Sequence, residues 1–98
     1  MQKLFEEIKT ITNQDHKTLE QRALKTSEET GELAQAVLSY VKASGTSYKN
    51  LGKGDIVEES VDVFLCAIAM AIHADDSLTA DKFLDYVNLK MEKWKSKI

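Results

Sequence analysis

Apolar side chains recur along this chain at the three-to-four-residue intervals that place them on one face of an α-helix. The first such stripe lies within residues 2–13 and comprises Leu4, Phe5, Ile8 and Ile11. It predicts a short amphipathic helix at the start of the fold.

A second helix is predicted from Thr18 to about Ala43. Gln21 follows Thr18 by three residues, and the pair has the form of a capping box, in which each residue satisfies a free N–H group at the start of a helix. At 100° per residue the apolar positions of this segment share one face, which we expect to be the buried one. These positions are Leu19, Ala23, Leu33, Val37 and Val41.

A glycine-containing segment, residues 44–54, is predicted to be a loop that leads to a third helix. Asp55 precedes Ile56, and Glu58 follows three residues later, so Asp55 is the predicted N-cap. After Val61 this helix is apolar around most of its circumference, and we expect neighbours on more than one side.

The C-terminal segment predicts a fourth helix behind Ser77 or Thr79 as its cap. The positions along this helix include Phe83, Tyr86 or Val87, Leu89 or Lys90, and Trp94. The chain contains no proline and is rich in good helix formers, so we expect an all-α fold in which residues 1–98 form a single domain.

Composition and charge narrow the possible partners. The net charge of −3 argues against a nucleic-acid partner or an acidic membrane surface. The apolar run 61–72 falls short of the roughly 20 residues that span a bilayer, and the N-terminus does not have the form of a signal peptide. With Cys66 as the one cysteine, we expect a cytoplasmic protein without an intramolecular disulfide. A chain of 98 residues buries only part of its apolar surface when it folds alone, so we expect it to bury more by forming an oligomer.

Two pairs of acidic residues stand out against this apolar background. Glu29 and Glu32 lie three residues apart on the second helix, and Glu59 and Asp62 repeat that spacing on the third. Residues at this spacing share a helix face, and both pairs border the predicted apolar face. If the two helices pack antiparallel, four carboxylates converge on one groove.

The carboxylates in such a groove would repel one another strongly, since two unit charges about 5 Å apart repel by roughly 3 kcal/mol at an effective dielectric constant of 20. A divalent ion or bound protons would relieve that repulsion. Oxygen ligands alone favour Mg²⁺, with Mn²⁺ as the alternative, over Zn²⁺. Acidic pairs also occur on solvated helix faces without any ligand, and that interpretation stays open from the spacing alone.

The motifs EETGELAQA and EESVDV, in that order, resemble those of the MazG-like all-α nucleoside triphosphate pyrophosphohydrolases, whose signature is E-E-x-x-E on one helix and E-E-x-x-D on the next. The resemblance covers residues 18–95 and includes Lys25. It implies a four-helix, MazG-like bundle that assembles as a homodimer or a dimer of dimers. It also implies Mg²⁺-dependent hydrolysis of a (deoxy)nucleoside triphosphate to the monophosphate and pyrophosphate, as part of nucleotide-pool house-cleaning.

The resemblance also assigns roles to residues. Glu29, Glu32, Glu59 and Asp62 would bind the metal, and Glu28 would orient or deprotonate the attacking water. The family's C-terminal basic positions correspond to Lys90 and Lys93, which would contact phosphates, although lysines at a helix end are also favoured by the helix dipole. Trp94 would stack on the base, or else pack in the core. The C-terminal segment has lysines where family members often have an arginine.

Two other functions share parts of this pattern. A non-catalytic helical oligomerisation module would use the apolar third helix as an interface and leave the acids solvated. A di-iron carboxylate bundle would require E-x-x-H motifs, and neither His16 nor His73 follows a glutamate at that spacing.

Overall fold

The computed structural model describes residues 1–42 and 51–98, and within these ranges the protein consists of four α-helices without a β-strand. The helices are α1 (Gln2–Gln14), α2 (Leu19–Tyr40), α3 (Lys53–Ala74) and α4 (Ala80–Lys95). The predicted all-α class is confirmed. Across these same ranges, no helix combines the length and the apolar character that crossing a bilayer requires.

The predicted caps of α2 and α4 are confirmed. The backbone N–H of Gln21 donates to Thr18 Oγ1 at 3.1 Å, and the Thr18 N–H donates to Gln21 Oε1 at 2.8 Å. Thr79 Oγ1 accepts from the N–H of Lys82 at 3.2 Å. Both side chains satisfy donors that the first helical turn leaves without partners.

The prediction for the start of α3 is wrong by three residues. The helix begins at Lys53 behind Gly52, so Asp55 lies inside the first turn and is not the N-cap. Its carboxylate nevertheless accepts from the backbone N–H of Gly52 at 2.8 Å. An acidic side chain at this position satisfies the same group of free donors from inside the helix, and the dipole favours it there.

Helices α2 and α3 lie antiparallel, which is the arrangement required for the acidic pairs to meet. Near the start of α2, Arg22 contacts His73 at the end of α3, and Ser39 at the end of α2 accepts from the N–H of Leu51 just before α3. The middle of each helix therefore faces the middle of the other.

The buried side of α2 differs from the predicted one. The buried residues are Arg22, Glu29, Ala36 and Ser39, whereas Val37 of the predicted apolar face is 40% exposed. Leu19 and Val41 of that face are exposed as well. Small residues such as Ala36 and Ser39 let two helix backbones approach closely, because the distance between packed helices depends on the side chains at the contact.

Arg22 connects three parts of the fold through its buried guanidinium group. Its Nε donates to His73 Nδ1 at 2.8 Å, and its Nη2 donates to the backbone oxygens of Thr12 and Asp15 at 3.2 and 2.9 Å. These oxygens lie at the C-terminal end of α1, where carbonyl groups lack helical partners. Arg22 therefore connects the end of α1 with α2 and with the end of α3.

The hydrophobic core lies between α1, the end of α3 and the start of α4. Its buried members are Phe5, Ile8, Ile68, Ile72, Leu78 and Ala80. Phe83 of α4 packs on this cluster, with its ring centroid 5.6 Å from that of Phe5. Among the described helices, the backbone of α4 comes close to that of α1 alone. The radius of gyration is 15.8 Å, above the roughly 13 Å of a compact domain of this length, so one chain does not close into a compact bundle.

Candidate metal centre

The antiparallel pairing of α2 and α3 brings the four predicted ligands together. Glu29, Glu59 and Asp62 each offer a carboxylate oxygen, and these three oxygens all lie within 4.8 Å of one another. Glu32 lies beside Glu59, where its charge helps to raise the pKa of the Glu59 carboxyl group. The same side of α2 also groups Glu28 with Glu29 and Glu32, again within 4.8 Å. We refer to Glu29, Glu32, Glu59 and Asp62 as the acidic cluster.

Two oxygens of the cluster are buried without a hydrogen-bond donor. Glu29 is only 7% exposed, and among residues 1–42 and 51–98 no donor reaches its Oε2. The Oε2 atom of Glu59 is in the same situation within these residues. A buried carboxylate oxygen without a partner is costly, and native proteins rarely keep one except where an ion, water or a catalytic role explains it.

Repulsion between the carboxylates of the acidic cluster disfavours the state in which all of them are ionised. Partial burial raises the pKa of Glu59, and the charges of Glu32, Asp62 and Glu29 raise it further. Lys25 offsets one part of this charge: its Nζ lies 2.9 Å from Glu29 Oε1, and this hydrogen bond raises the pKa of the lysine. The opposite oxygen of Glu29 remains without a donor within the described ranges, so the lysine neutralises the cluster only at its edge.

The donor set suits a hard divalent cation. The grouped side chains are all carboxylates, with no histidine or cysteine among them in the described parts of the chain. Carboxylate oxygens are the ligands of Mg²⁺ and Mn²⁺, and an ion held by Glu29, Glu59 and Asp62 would offset the cost of burying oxygens that lack a donor among the described residues. The residues present therefore fit the predicted metal.

A cavity of about 230 Å³ adjoins the acidic cluster. Its walls are mainly apolar side chains of α1 and α3, among them Ile8, Ile11, Leu65, Cys66 and Ala69. Two residues connect it with the cluster, since Lys25 lines the cavity and binds Glu29, while Cys66 lies one turn after Asp62. Burial raises the pKa of the Cys66 thiol, with a smaller contribution from the charge of Glu29.

Sequence reasoning did not identify this cavity. Its walls come from residues far apart in the chain, and their pattern was that of ordinary core positions. Lys25 was noticeable from its spacing, because residues four apart on a helix form ion pairs and Lys25 precedes Glu29 by four.

The predicted phosphate and base contacts lie elsewhere. Lys90 and Trp94 line a shallow groove along α4 together with Phe83, Tyr86, Val87 and Met91. Trp94 is 69% exposed, and Lys93 lies on the same helix. Among the described residues the backbone of α4 comes close to α1 and not to α2, so a single chain does not bring these three side chains to the acidic cluster. Their roles stay predictions that require α4 of a second copy.

No family model, curated protein or solved structure matches the chain. The resemblance to the MazG-like pyrophosphohydrolases therefore stays a prediction that depends on the motif residues and their spacing.

Proposed function

We propose that the protein is a Mg²⁺-dependent nucleoside triphosphate pyrophosphohydrolase that releases the monophosphate and pyrophosphate. The observation that supports this proposal best is the convergence of Glu29, Glu59 and Asp62 within 4.8 Å, with two buried oxygens that lack donors in the described chain. A cation between carboxylates this crowded would relieve their repulsion, and hydrolysis of phosphoanhydrides is a reaction in which Mg²⁺ held by carboxylates is commonly used.

Each acid of the site has a distinct place in this proposal. Glu29 and Glu59 are held by packing between α2 and α3, and together with Asp62 and Glu32 they would hold the ion. Bound Mg²⁺ would supply charge neutralisation at the triphosphate. Glu28 is exposed beside Glu29 and is not committed to the interface, so it is placed to orient the attacking water and accept its proton.

The cavity between α1, α2 and α3 supplies a place for the nucleoside. Ligand sites are typically apolar clefts with a few polar groups at one end, and here the apolar walls adjoin the acidic cluster through Lys25. A nucleoside in this cavity would direct its phosphates toward the carboxylates. Within a single chain, we therefore propose that the base binds in this cavity and not against Trp94.

The test is hydrolysis of a panel of common and modified nucleoside triphosphates with Mg²⁺, with separate detection of monophosphate and diphosphate. Glu59→Gln and Asp62→Asn should each abolish Mg²⁺-dependent pyrophosphate release, and Asp85→Asn on α4 serves as the matched control. Activity that survives both cluster changes would exclude these ligands. Diphosphate with free phosphate as products would show that a different bond is cleaved.

A second candidate function is a non-catalytic helical oligomerisation module. It is supported by the apolar surface of α4, where large side chains remain exposed in the single chain: Leu84, Tyr86, Leu89, Met91 and Trp94. Such a surface is typical of a protein–protein interface, and the expected homodimer or tetramer would cover it. This alternative predicts no effect of Mg²⁺ on thermal stability, whereas an ion that binds only the folded protein must raise it.

A further inference from the structure

Lys25 occupies the boundary between the acidic cluster and the cavity. Its ammonium group lies 2.9 Å from Glu29 Oε1 and 3.5 Å from Glu28 Oε1, and its side chain also lines the cavity. Of the three basic residues that line this cavity, Arg22 is engaged by His73 and the end of α1, and Lys17 is engaged by Asp15. Lys25 alone among them pairs with a residue of the cluster in the described parts of the chain.

The two oxygens of Glu29 have different surroundings, and this difference suggests how Lys25 acts. Oε1 accepts from the lysine, while Oε2 is buried and lacks a donor within the described ranges, and the Glu29 carboxylate has an oxygen within 4.8 Å of oxygens of Glu59 and Asp62. A cation at Oε2 would repel the ammonium group across the same carboxylate. The lysine is 45% exposed on a flexible stem, so it is free to move away from Glu29.

We infer that Lys25 is an exchangeable counter-ion, which neutralises Glu29 in the metal-free protein and contacts a phosphate of the substrate when metal and nucleotide are bound. The inference depends on the proposed function and adds a substrate-binding residue to it. The ammonium group of Lys25 lies beside the carboxylates that would bind the ion, and its side chain lines the cavity of about 230 Å³, so a nucleotide that occupied both would bring a phosphate within its reach. Binding a phosphate oxygen restores the charge-assisted hydrogen bond that is lost when the lysine leaves Glu29.

Removing the charge of Lys25 should have opposite effects on the affinity for Mg²⁺ and on the affinity for the nucleotide. In Lys25→Met the cluster loses a competing cation, so Mg²⁺ alone should bind several-fold more tightly than to the wild type. The same variant loses a phosphate contact, so a non-hydrolysable α,β-methylene nucleoside triphosphate with saturating Mg²⁺ should bind about tenfold or more weakly. Lys25→Arg keeps the charge and should stay close to the wild type in both.

The experiment is titration calorimetry of the full chain, first with Mg²⁺ alone and then with the tightest analogue of a panel chosen on the wild type. Lys17→Met is the matched control, because Lys17 lines the same cavity, is 44% exposed and pairs with Asp15 outside the cluster. It should leave the affinity for Mg²⁺ unchanged.

The outcomes separate this inference from the proposed function. If the wild type binds no Mg²⁺, both are overturned. If it binds Mg²⁺ but Lys25→Met leaves both affinities within about twofold, or moves them in the same direction, the role of Lys25 is refuted while the metal centre stands. A wild type that binds Mg²⁺ and none of the analogues would likewise refute the phosphate contact.

Discussion

Asp62→Asn isolates the central claim that the acidic cluster binds a divalent cation. Asp62 contributes one of three carboxylate oxygens that lie within 4.8 Å of one another. Asparagine has nearly the same shape and keeps one oxygen, and the side chain at this position is exposed, so α3 and its packing should be unaffected. The substitution removes one negative charge from the ion's ligands and little else.

The expected size of the effect follows from linkage between binding and folding. At a Mg²⁺ concentration about ten times the dissociation constant, the wild type gains about 1.4 kcal/mol of stability. Loss of residues that merely support metal ligands weakens binding about 10- to 100-fold, so loss of a ligand should reach the upper end of that range. At the same Mg²⁺ concentration Asp62→Asn would then gain less than about 0.1 kcal/mol. For a domain of this size the difference corresponds to roughly 5 to 11 °C in Tm.

The assay is thermal unfolding of both proteins with and without Mg²⁺, at an ionic strength held constant with NaCl. Without a divalent ion Asp62→Asn should melt at or above the temperature of the wild type, because it relieves repulsion among the carboxylates. With Mg²⁺ the order should reverse. Asp85→Asn should behave as the wild type in both conditions. An equal Mg²⁺-induced rise in Tm for Asp62→Asn and the wild type would show that the ion binds elsewhere.

Two further predictions concern protonation and the connection of the helices. The raised pKa of Glu59 means that ionisation opposes folding, and this cost is absent below the ordinary pKa of a glutamate and complete above the raised value. Without divalent ions, Glu59→Gln should therefore gain in Tm over the wild type as pH rises through that window, and a difference independent of pH from about 4 to 8 would contradict the shift. Arg22→Met removes three hydrogen bonds and should lower the free energy of unfolding by about 3 kcal/mol. Urea denaturation with Lys82→Met as control measures this loss, and a loss below about 1 kcal/mol would contradict the connecting role of Arg22.

The local features of this protein were predictable from the sequence alone. The four helices, the capping box at Thr18 and the N-cap at Thr79 depend on residues a few positions apart, so their pattern is visible in the linear chain. The pairing of Glu29 with Glu32 and of Glu59 with Asp62 is of the same kind, since helical periodicity alone places each pair on one face.

Tertiary structure decided which faces meet and what lies between them. The buried side of α2 carries Ala36 and Ser39 where the apolar pattern favoured Val37, and small side chains at a helix contact allow two backbones to approach closely. The same contact buried Glu29 and left two carboxylate oxygens without donors among the described residues.

The cavity and the place of α4 also depend on contacts between distant segments. Ile8 and Cys66 became neighbours of one cavity through the packing of α1 on α3, while Lys90, Lys93 and Trp94 lie on a helix whose backbone comes close to α1 alone among the described helices. Sequence periodicity determines the face of a helix on which a side chain lies. The partner of that face is determined by packing across the whole chain. The sequence therefore placed the four carboxylates in one groove only on the condition that α2 and α3 pack antiparallel, and the structure meets that condition.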